Sequence, residues 1–453
     1  MNKILEIFKK PKPIYEVPLN KMSSAISEWT ALYENRSPNI SEENQKLNIA
    51  AAIASELARL ATIEFSSEIT GSKRAEYLNT QYQRIIKKVR VFVEYACAKG
   101  GVILKPYLEN GKILVSIIQA DAFYPTDFTS EGELSGAVFY ESFKEGEYYF
   151  TRLEEHKLIN NCLIIKNTAF KSKNPDTLEK EIPLNSVNRW SSITPVCRIE
   201  NIDKPLFAYL KMPMANTIDS SSPLGVSVFA RATDLIRDVY SQYSNLLWEF
   251  ESGKRALFID ECAVRRDENG NVSLPDKRLY RLLSTGDDTL FEDWSPQLRE
   301  ENILAGLDRI LRSIEFNCGL AYGTLSDVQN ADKTAEEIRA SKQRSYATVC
   351  DIQNALKQAL TNLVWAMNVY CDMYSLISKG EYSISFDFDD SIITDRSAEF
   401  TEKISLLDKG ILSPWEMRSW YFNEDEKTAK SRIGEINEIQ NSNNMAQDSQ
   451  QQL

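Results

Sequence analysis

From about Lys333 to Ser378 the chain reads as one long helix. In its second half Val349, Ile352, Leu356, Leu363, Met367, Tyr370, Tyr374 and Ile377 recur at steps of three and four, with Ala359 and Leu360 filling the gap. That spacing lays one apolar stripe along one face of an α-helix. The first half, KTAEEIRASKQRSYAT, is polar nearly all round, with Ile338 the main exception. A helix that is a polar rod at one end and a buried spine at the other bridges two environments. At about 1.5 Å per residue it spans roughly 70 Å. Asp332 before it and Gly380 after it are the expected caps.

The remaining pattern is taken from the N-terminus. Residues 1–19 read as an arm and Asn20–Tyr33 as a short amphipathic helix. Ser41 suits an N-cap, with Glu42 and Glu43 in the first turn of a helix running to about Phe65. Its apolar face is Leu47, Ala50, Ile53, Leu57, Leu60 and Ala61. A third helix is expected from near Ser72 to Gly100–Gly101, with the stripe Leu78, Tyr82, Ile85, Val89, Phe92 and Ala96. Lys73, Arg74, Arg84, Lys87, Lys88 and Arg90 make its other side basic. Such a side is either solvated or in contact with a phosphate backbone or an acidic neighbour.

Residues 102–199 are strand-rich. Asn110–Gly111 between VILKPYLE and KILVSII signals a hairpin, and Glu145–Gly146 and Asn160–Asn161 mark further turns of a meander. Ser222–Pro223 opens a helix carrying Phe229, Ala232, Ile236, Val239, Tyr243, Leu246 and Phe250, which stops at Ser252–Gly253. Residues 254–294 change to short strands around Asn269–Gly270, with arginines interleaved. Ser295–Pro296 starts another helix with Ile303, Leu307, Ile310, Ile314 and Cys318, ending near Gly319. The simplest geometry is an antiparallel helix pair carrying the β-containing insert at its far end. The loop Ala321–Asp332 is expected to be mobile. After the long helix, Ile384, Phe386 and Phe388 alternate with Ser383, Ser385 and Asp387 as in a strand. Short helices follow around Leu406 and Trp415–Tyr421, and a polar tail, SNNMAQDSQQQL, begins at Ser442.

Composition narrows the chemistry. At 453 residues the chain exceeds what one hydrophobic core serves. A net charge of −12 makes it a poor general binder of nucleic-acid phosphates, yet suits a surface that DNA passes without sticking. The seven cysteines are scattered, without a CxxC pair, which points to reduced thiols and against a disulfide frame or zinc site. No signal peptide and no membrane span are expected from the hydropathy pattern. There is no GxxxxGK followed by Ser or Thr, no dinucleotide fingerprint and no HExxH. The one histidine, His156, reads as structural or surface, between strands. Asp387, Asp389 and Asp390, with Asp395 nearby, are the best candidate for a two-magnesium nuclease site, but a solvated strand end explains them without chemistry. Glu251 with Lys254 and Arg255 reads as an ion-pair cluster at a helix end.

The stretches YFTRLEEH (149–156), FAYLKMPMANTIDSSSPLGVSVF (207–229), EFESGKRALF (249–258), KTAEEIRASKQRSYATV (333–349), FDFDDSIITD (386–395) and DKGILSPWE (408–416) share one property. In this order and spacing the chain resembles the portal proteins of tailed bacteriophages, in the branch found in long-tailed phages of Gram-positive hosts. The resemblance implies an α+β fold with an α/β wing, a two-helix stem, a small β-containing clip, a very long spine helix and a helical crown. By position it implies a wing over 1–221, stem helices over 222–253 and 295–319, a clip over 254–294, a channel loop over 320–332, the long wing helix and closing strand over 333–395, a crown over 396–440 and a disordered tail over 441–453. It implies a non-enzymatic subunit without cofactor or metal, sitting at the capsid vertex of the virion after assembly in the host cytoplasm. The implied partners are further copies of itself in a ring of about twelve, double-stranded DNA passing without sequence specificity, the terminase large subunit, a head-completion or adaptor protein, and the major capsid and scaffold proteins, with no membrane. Thr324, Asp327, Gln329, Asn330 and Lys333 are the implied channel-loop residues, and Arg255, Arg265, Arg266, Arg278 and Arg281 the implied clip contacts. The polar half of the long helix would then point toward the channel. A metal-dependent nuclease and an oligomeric scaffold without DNA passage are the competing expectations.

Overall fold

The computed structural model describes residues 19–36, 47–175, 177–254, 256–260, 280–283, 291–294, 297–327, 335–388, 396–422 and 424–434. The chain divides into two compact units, Met1–Phe388 and Asp389–Leu453. In the first, α1 (Leu19–Tyr33) buries Met22, Trp29 and Leu32. Helix α2 (Ile49–Ala61) starts at Asn48, whose left-handed backbone (φ 43°) turns the chain into the helix. The expected start at Ser41 lies outside the described residues. Ala50, Ile53, Leu57 and Ala61 are buried, as their spacing predicts. Strand β1 (Ser66–Gly71) follows, which the sequence pattern did not signal.

The single helix expected from Ser72 to Gly100 is two helices, α3 (Lys73–Ile86) and α4 (Val89–Lys99). Lys88 leaves helical geometry (φ −108°, ψ 11°), so the apolar face is re-aimed. Helix α3 buries Leu78, Tyr82 and Ile85, and α4 buries Phe92, Val93, Ala96 and Cys97. Arg74 is not part of a basic surface: its side chain is 3% exposed.

Strands β2 (Gly101–Glu109) and β3 (Lys112–Gln119) form the expected hairpin, with Asn110 (φ 50°) and Gly111 (φ 71°) both left-handed at the turn. Next come β4 (Phe123–Phe128), β5 (Leu134–Glu145), β6 (Tyr148–Ile159), β7 (Cys162–Ser172), β8 (Lys180–Ile182) and β9 (Val196–Glu200). They make one six-stranded antiparallel sheet in the order β4-β5-β6-β7-β8, with β9 also pairing β7. Strand β10 (Ala208–Lys211) returns to pair with β2, giving a separate sheet β10-β2-β3.

The expected helix start at Ser222–Pro223 is not observed. A 3-10 turn at Ala230–Ala232 precedes α5 (Thr233–Ser252). Val226, Ser227, Val228 and Phe229 run through the interior instead, and Val228 N–H donates to the Cys97 carbonyl at 2.9 Å. This passage needs glycine: a Cβ on Gly225 would lie 2.0 Å from the Gly100 carbonyl oxygen, and Gly100 itself has φ +88°. Beyond α5 lie β11 (Ala256–Asp260), β12 (Tyr280–Leu283) and β13 (Phe291–Trp294), with β11 parallel to β12 and antiparallel to β13. Helix α6 (Glu300–Cys318) follows, preceded by Arg299 at its N-cap.

The long helix, α7 (Ala335–Met373), has 39 residues, roughly 58 Å of rise. Val349, Ile352, Leu356, Ala359, Leu360, Leu363 and Met367 are buried as expected. Its other flank is covered too: Ala366, Trp365, Val369 and Tyr370 pack with Leu163, Ile202 and Leu206 beside β7 and β9. The helix ends earlier than the stripe implied, so Tyr374 is half-exposed. Gly380 is not its cap. Ser375 takes the left-handed position (φ 49°), with Leu376 N–H on the Cys371 carbonyl and Ser375 N–H on Asp372. Arg74 then closes this end. Its guanidinium donates to the carbonyls of Ser378 (3.0 Å) and Ile377 (2.8 Å), to Asn368 Oδ1 (2.9 Å) and to Asp372 Oδ1 (2.6 Å). Strand β14 (Tyr382–Asp387) pairs antiparallel with β1, with Ser383, Ser385 and Asp387 outward as predicted. In the second unit, α8 (Arg396–Asp408) and α9 (Pro414–Phe422) are joined through Gly410 (φ 67°), and Ser413 N–H and Oγ–H both donate to Glu416 Oε2 at the start of α9.

His156 lies within β6, not between strands, and is buried against Phe139 and Phe207. Its Nε2 sits 2.7 Å from Glu154 Oε1, which also accepts Lys105 Nζ at 2.8 Å. With a carboxylate as partner, Nε2 carries the proton. Nδ1 has no hydrogen-bond partner among the described residues, as suits a neutral ring. Burial lowers the His156 pKa from 6.5, against the pull of Glu154. For Glu154, burial is outweighed by the hydrogen bond from His156 and by the charge and hydrogen bond of Lys105, which hold it well below 4.5. Both groups bind fewer protons folded than unfolded, so each contributes stability above its unfolded pKa that is lost as pH falls. Equilibrium unfolding should therefore show stability declining as pH drops through 6.5, well before the carboxylate region near 4.5. His156→Gln should remove the upper step; an unchanged slope there would refute the assignment.

Candidate channel loop and docking surfaces

Helices α5 and α6 lie side by side and antiparallel. At one end Glu249 of α5 caps α6: its Oε1 accepts the Arg299 backbone N–H (3.0 Å) and Nε (3.2 Å), and Oε2 accepts Nη2 (2.8 Å). The side-chain bond from Arg299, then its backbone N–H, hold the Glu249 pKa below the usual range. At the other end the turn before α5 meets the last turn of α6, where Val228 and Arg231 share a cavity with Phe316 and Cys318. At the Glu249–Arg299 end the pair exposes Trp248 (64%), Phe250 (44%) and Leu304 (46%). These are large apolar side chains left uncovered among the described residues. The insert beyond Gly253 is a three-stranded sheet, which adds β13 to the two strands the sequence signalled. Arg281 lies on β12, in register with Phe258 of β11. Arg255, Arg265, Arg266 and Arg278 lie outside the described residues.

The chain after α6 is fixed by carboxylates of that helix. Gly319 (φ 71°) ends α6, and Leu320 N–H returns to the Glu315 carbonyl at 2.9 Å. The Glu315 side chain, 0% exposed, is the anchor. Its Oε1 accepts the N–H groups of Gly323 (3.1 Å), Leu325 (2.6 Å) and Ser326 (2.9 Å), and its Oε2 accepts Ser326 Oγ–H (2.9 Å). Asp308 Oδ1 accepts Asp327 N–H at 2.8 Å, while Arg312 Nε holds Asp308 Oδ2 at 2.8 Å. In residues 321–327, part of the loop expected to be mobile, the N–H groups of Gly323, Leu325, Ser326 and Asp327 are each bonded to a carboxylate of α6. Thr324 is exposed and bonds back to the Ala321 carbonyl at 2.6 Å; Asp327 is exposed as well. Gln329, Asn330 and Lys333 lie outside the described residues. Glu315 escaped the sequence reading. Its signal was an acid directly after Ile314, on the buried side of the stripe, ahead of a loop full of free N–H groups.

In the described part of the polar half of α7, Arg344 sits over the Phe316 ring and Thr348 lies against Gly319. Of the acidic candidates, Asp387 is exposed on β14, and Asp389, Asp390 and Asp395 lie outside the described residues. Among the described residues no group of His, Cys, Asp or Glu is placed to hold a metal ion. Likewise no helix among them is long and apolar enough to cross a membrane.

The mixed helix-and-sheet fold, with its long helix and a helix pair bearing a small sheet, agrees with the α+β fold that the resemblance implied. A family model described as "Phage portal protein, SPP1 Gp6-like" matches residues 24–452, and the chain belongs to that family. Its role is that of a portal: passage of phage DNA, as a component of the virion. No curated protein matches the chain. Among solved structures, a chain from the neck of a native GTA particle computed with C12 symmetry is similar at 12% identity and a TM-score of 0.38, over 92% of this chain and 97% of that one.

Glu315→Ala leaves three backbone N–H groups and one hydroxyl without their acceptor. At about 1–3 kcal/mol per unsatisfied buried group, partly relieved by entering water, the loss should reach about 3 kcal/mol. Hydrogen exchange should quicken at Gly323, Leu325 and Ser326 by tenfold or more; protection equal to wild type would show that Glu315 does not hold the loop.

Proposed function

We propose that the protein closes with further copies of itself, twelve in number, into a head-to-tail ring through which double-stranded DNA is packaged and later ejected. The observation that carries this reading is the family match over nearly the whole chain. The exposed Trp248, Phe250 and Leu304 of the helix pair support it, since a ring covers such side chains with the next copy. In this reading α5 and α6 are the stem, residues 254–294 the clip, the loop after Gly319 the channel loop, residues 1–221 with α7 the wing, and 396–440 the crown. A net charge of −12 per copy gives the channel a repulsive wall along which DNA slides. Thr324 and Asp327, with Gln329, Asn330 and Lys333 beyond them, face the duplex weakly and without sequence preference. The clip arginines Arg255, Arg265, Arg266, Arg278 and Arg281 meet the terminase large subunit, which supplies ATP hydrolysis, and then a head-completion or adaptor protein. The crown side meets major capsid and scaffold proteins. Assembly takes place in the host cytoplasm.

Native mass and negative-stain images of the purified protein should show rings of about a dozen copies with an axial hole, and Trp248→Glu should reduce them to smaller species. A compact dimer that cleaves plasmid DNA with magnesium would overturn the reading. Arg265→Glu or Arg278→Glu should impair DNA packaging while leaving rings intact; unchanged packaging would remove the clip arginines from the partner surface.

A further inference from the structure

A cavity of about 230 Å³ opens where Pro213–Met214, Arg231, the last turn of α6 and the middle of α7 meet. Arg344 projects into it from α7. Its guanidinium lies 4.5 Å from the Phe316 ring centroid and 5.3 Å from that of Tyr322. Contact with two rings attracts the guanidinium but supplies no acceptor for its N–H groups. Nη1 is buried and has no hydrogen-bond partner among the described residues. An arginine cannot escape this by losing its proton, so a buried donor on a full charge is left unsatisfied. The neighbours do not repair it. Thr348 Oγ–H is committed to the Arg344 carbonyl at 3.2 Å. Asp351, on the exposed rim, forms no ion pair with Arg344, and Arg231 across the cavity adds a second positive charge. Two arginines against one aspartate leave the cavity net positive in a chain with 65 acidic and 53 basic residues.

The rings that hold Arg344 are themselves uncovered. Phe316 is 56% exposed and Tyr322 38%. A free anion would satisfy Nη1 but leave both aromatic side chains in water. A protein surface bearing a carboxylate does both, and an acidic second copy of this chain carries such a surface. We propose that this cavity is a socket between adjacent copies: a carboxylate of the neighbouring copy enters it, pairs with Arg344, and its surroundings cover Phe316 and Tyr322. In a head-to-tail contact the carboxylate comes from a different face than the socket, so one chain carries both halves. The inference rests on the ring reading above and adds the residue at which the site is incomplete without the second copy.

The test uses full-length protein. Arg344→Ala should weaken assembly, followed by native mass on dilution, by roughly thirtyfold or more, as expected on truncating one partner of a buried charge pair. Thermal unfolding of the dissociated subunit checks that the variant is folded. In Arg344→Lys rings, a water-soluble carbodiimide should join the introduced amine to a carboxylate in a product of twice the subunit mass, and peptide mapping locates the partner. Wild-type rings that dilute no differently from Arg344→Ala, or a cross-link confined to Asp351 of the same chain, would overturn the socket while leaving the ring intact. Stabilisation of wild type but not Arg344→Ala by millimolar inorganic phosphate, with assembly unaffected, would overturn it in favour of a small anion. Absence of any wild-type assembly would overturn the ring and the socket together.

Discussion

The burial of α7 on two flanks at once is the constraint on which the first unit depends. Leu356, Leu360, Leu363 and Met367 are fully buried, and Ala366 lets Leu163, Ile202 and Leu206 approach the other flank. At about 1.5–3 kcal/mol for each large apolar side chain, these four alone contribute roughly 6–12 kcal/mol. That is comparable with the whole net stability of a typical domain. Helix, sheets and α2 therefore form together. The sheet β10-β2-β3, the β6, β7 and β9 part of the six-stranded sheet, and helices α2 and α3 have one common partner, and its removal would leave each with an uncovered face.

Polar groups finish what apolar burial cannot. Helix ends leave backbone groups unpaired, and three single side chains meet that need here. Arg74 serves the carbonyls beyond α7, Glu249 caps α6, and Glu315 gathers the N–H groups that follow α6. In each case a charged group held by several hydrogen bonds ties together segments distant in sequence or lying beyond a helix end. Such groups are strong anchors because their own desolvation must be offset by complete pairing. The same demand makes Arg344 informative, since its pairing is not complete within the described chain.

The two parts of the first unit differ in how finished they are. Around α7 nearly every large apolar side chain is covered, whereas α5 and α6 leave Trp248, Phe250, Leu304 and Phe316 to solvent. The contrast supports the proposal that the helix pair is completed by a neighbouring copy.

Periodicity by itself determined the spine helix, the faces of α2 and α3, that of α5 apart from Phe250, which the structure leaves exposed, the outward side of β14 and the hairpin at Asn110–Gly111, because those features are set by local repeats and local turn chemistry. Motif order was enough to reach the portal family, since it survives when overall identity does not. Tertiary structure decided the rest. The break at Lys87–Lys88 arises because α4 must face elements that α3 does not. Ser222–Pro223 looked like a helix start, yet the chain there is held extended by Cys97 and by the Gly100–Gly225 contact, both far off in sequence. Strand β1 has little pattern of its own and exists because β14 pairs with it. Arg74 read as surface and Glu315 as unremarkable, because a charge belongs inside only when its partners arrive, and those partners come together only in the folded chain.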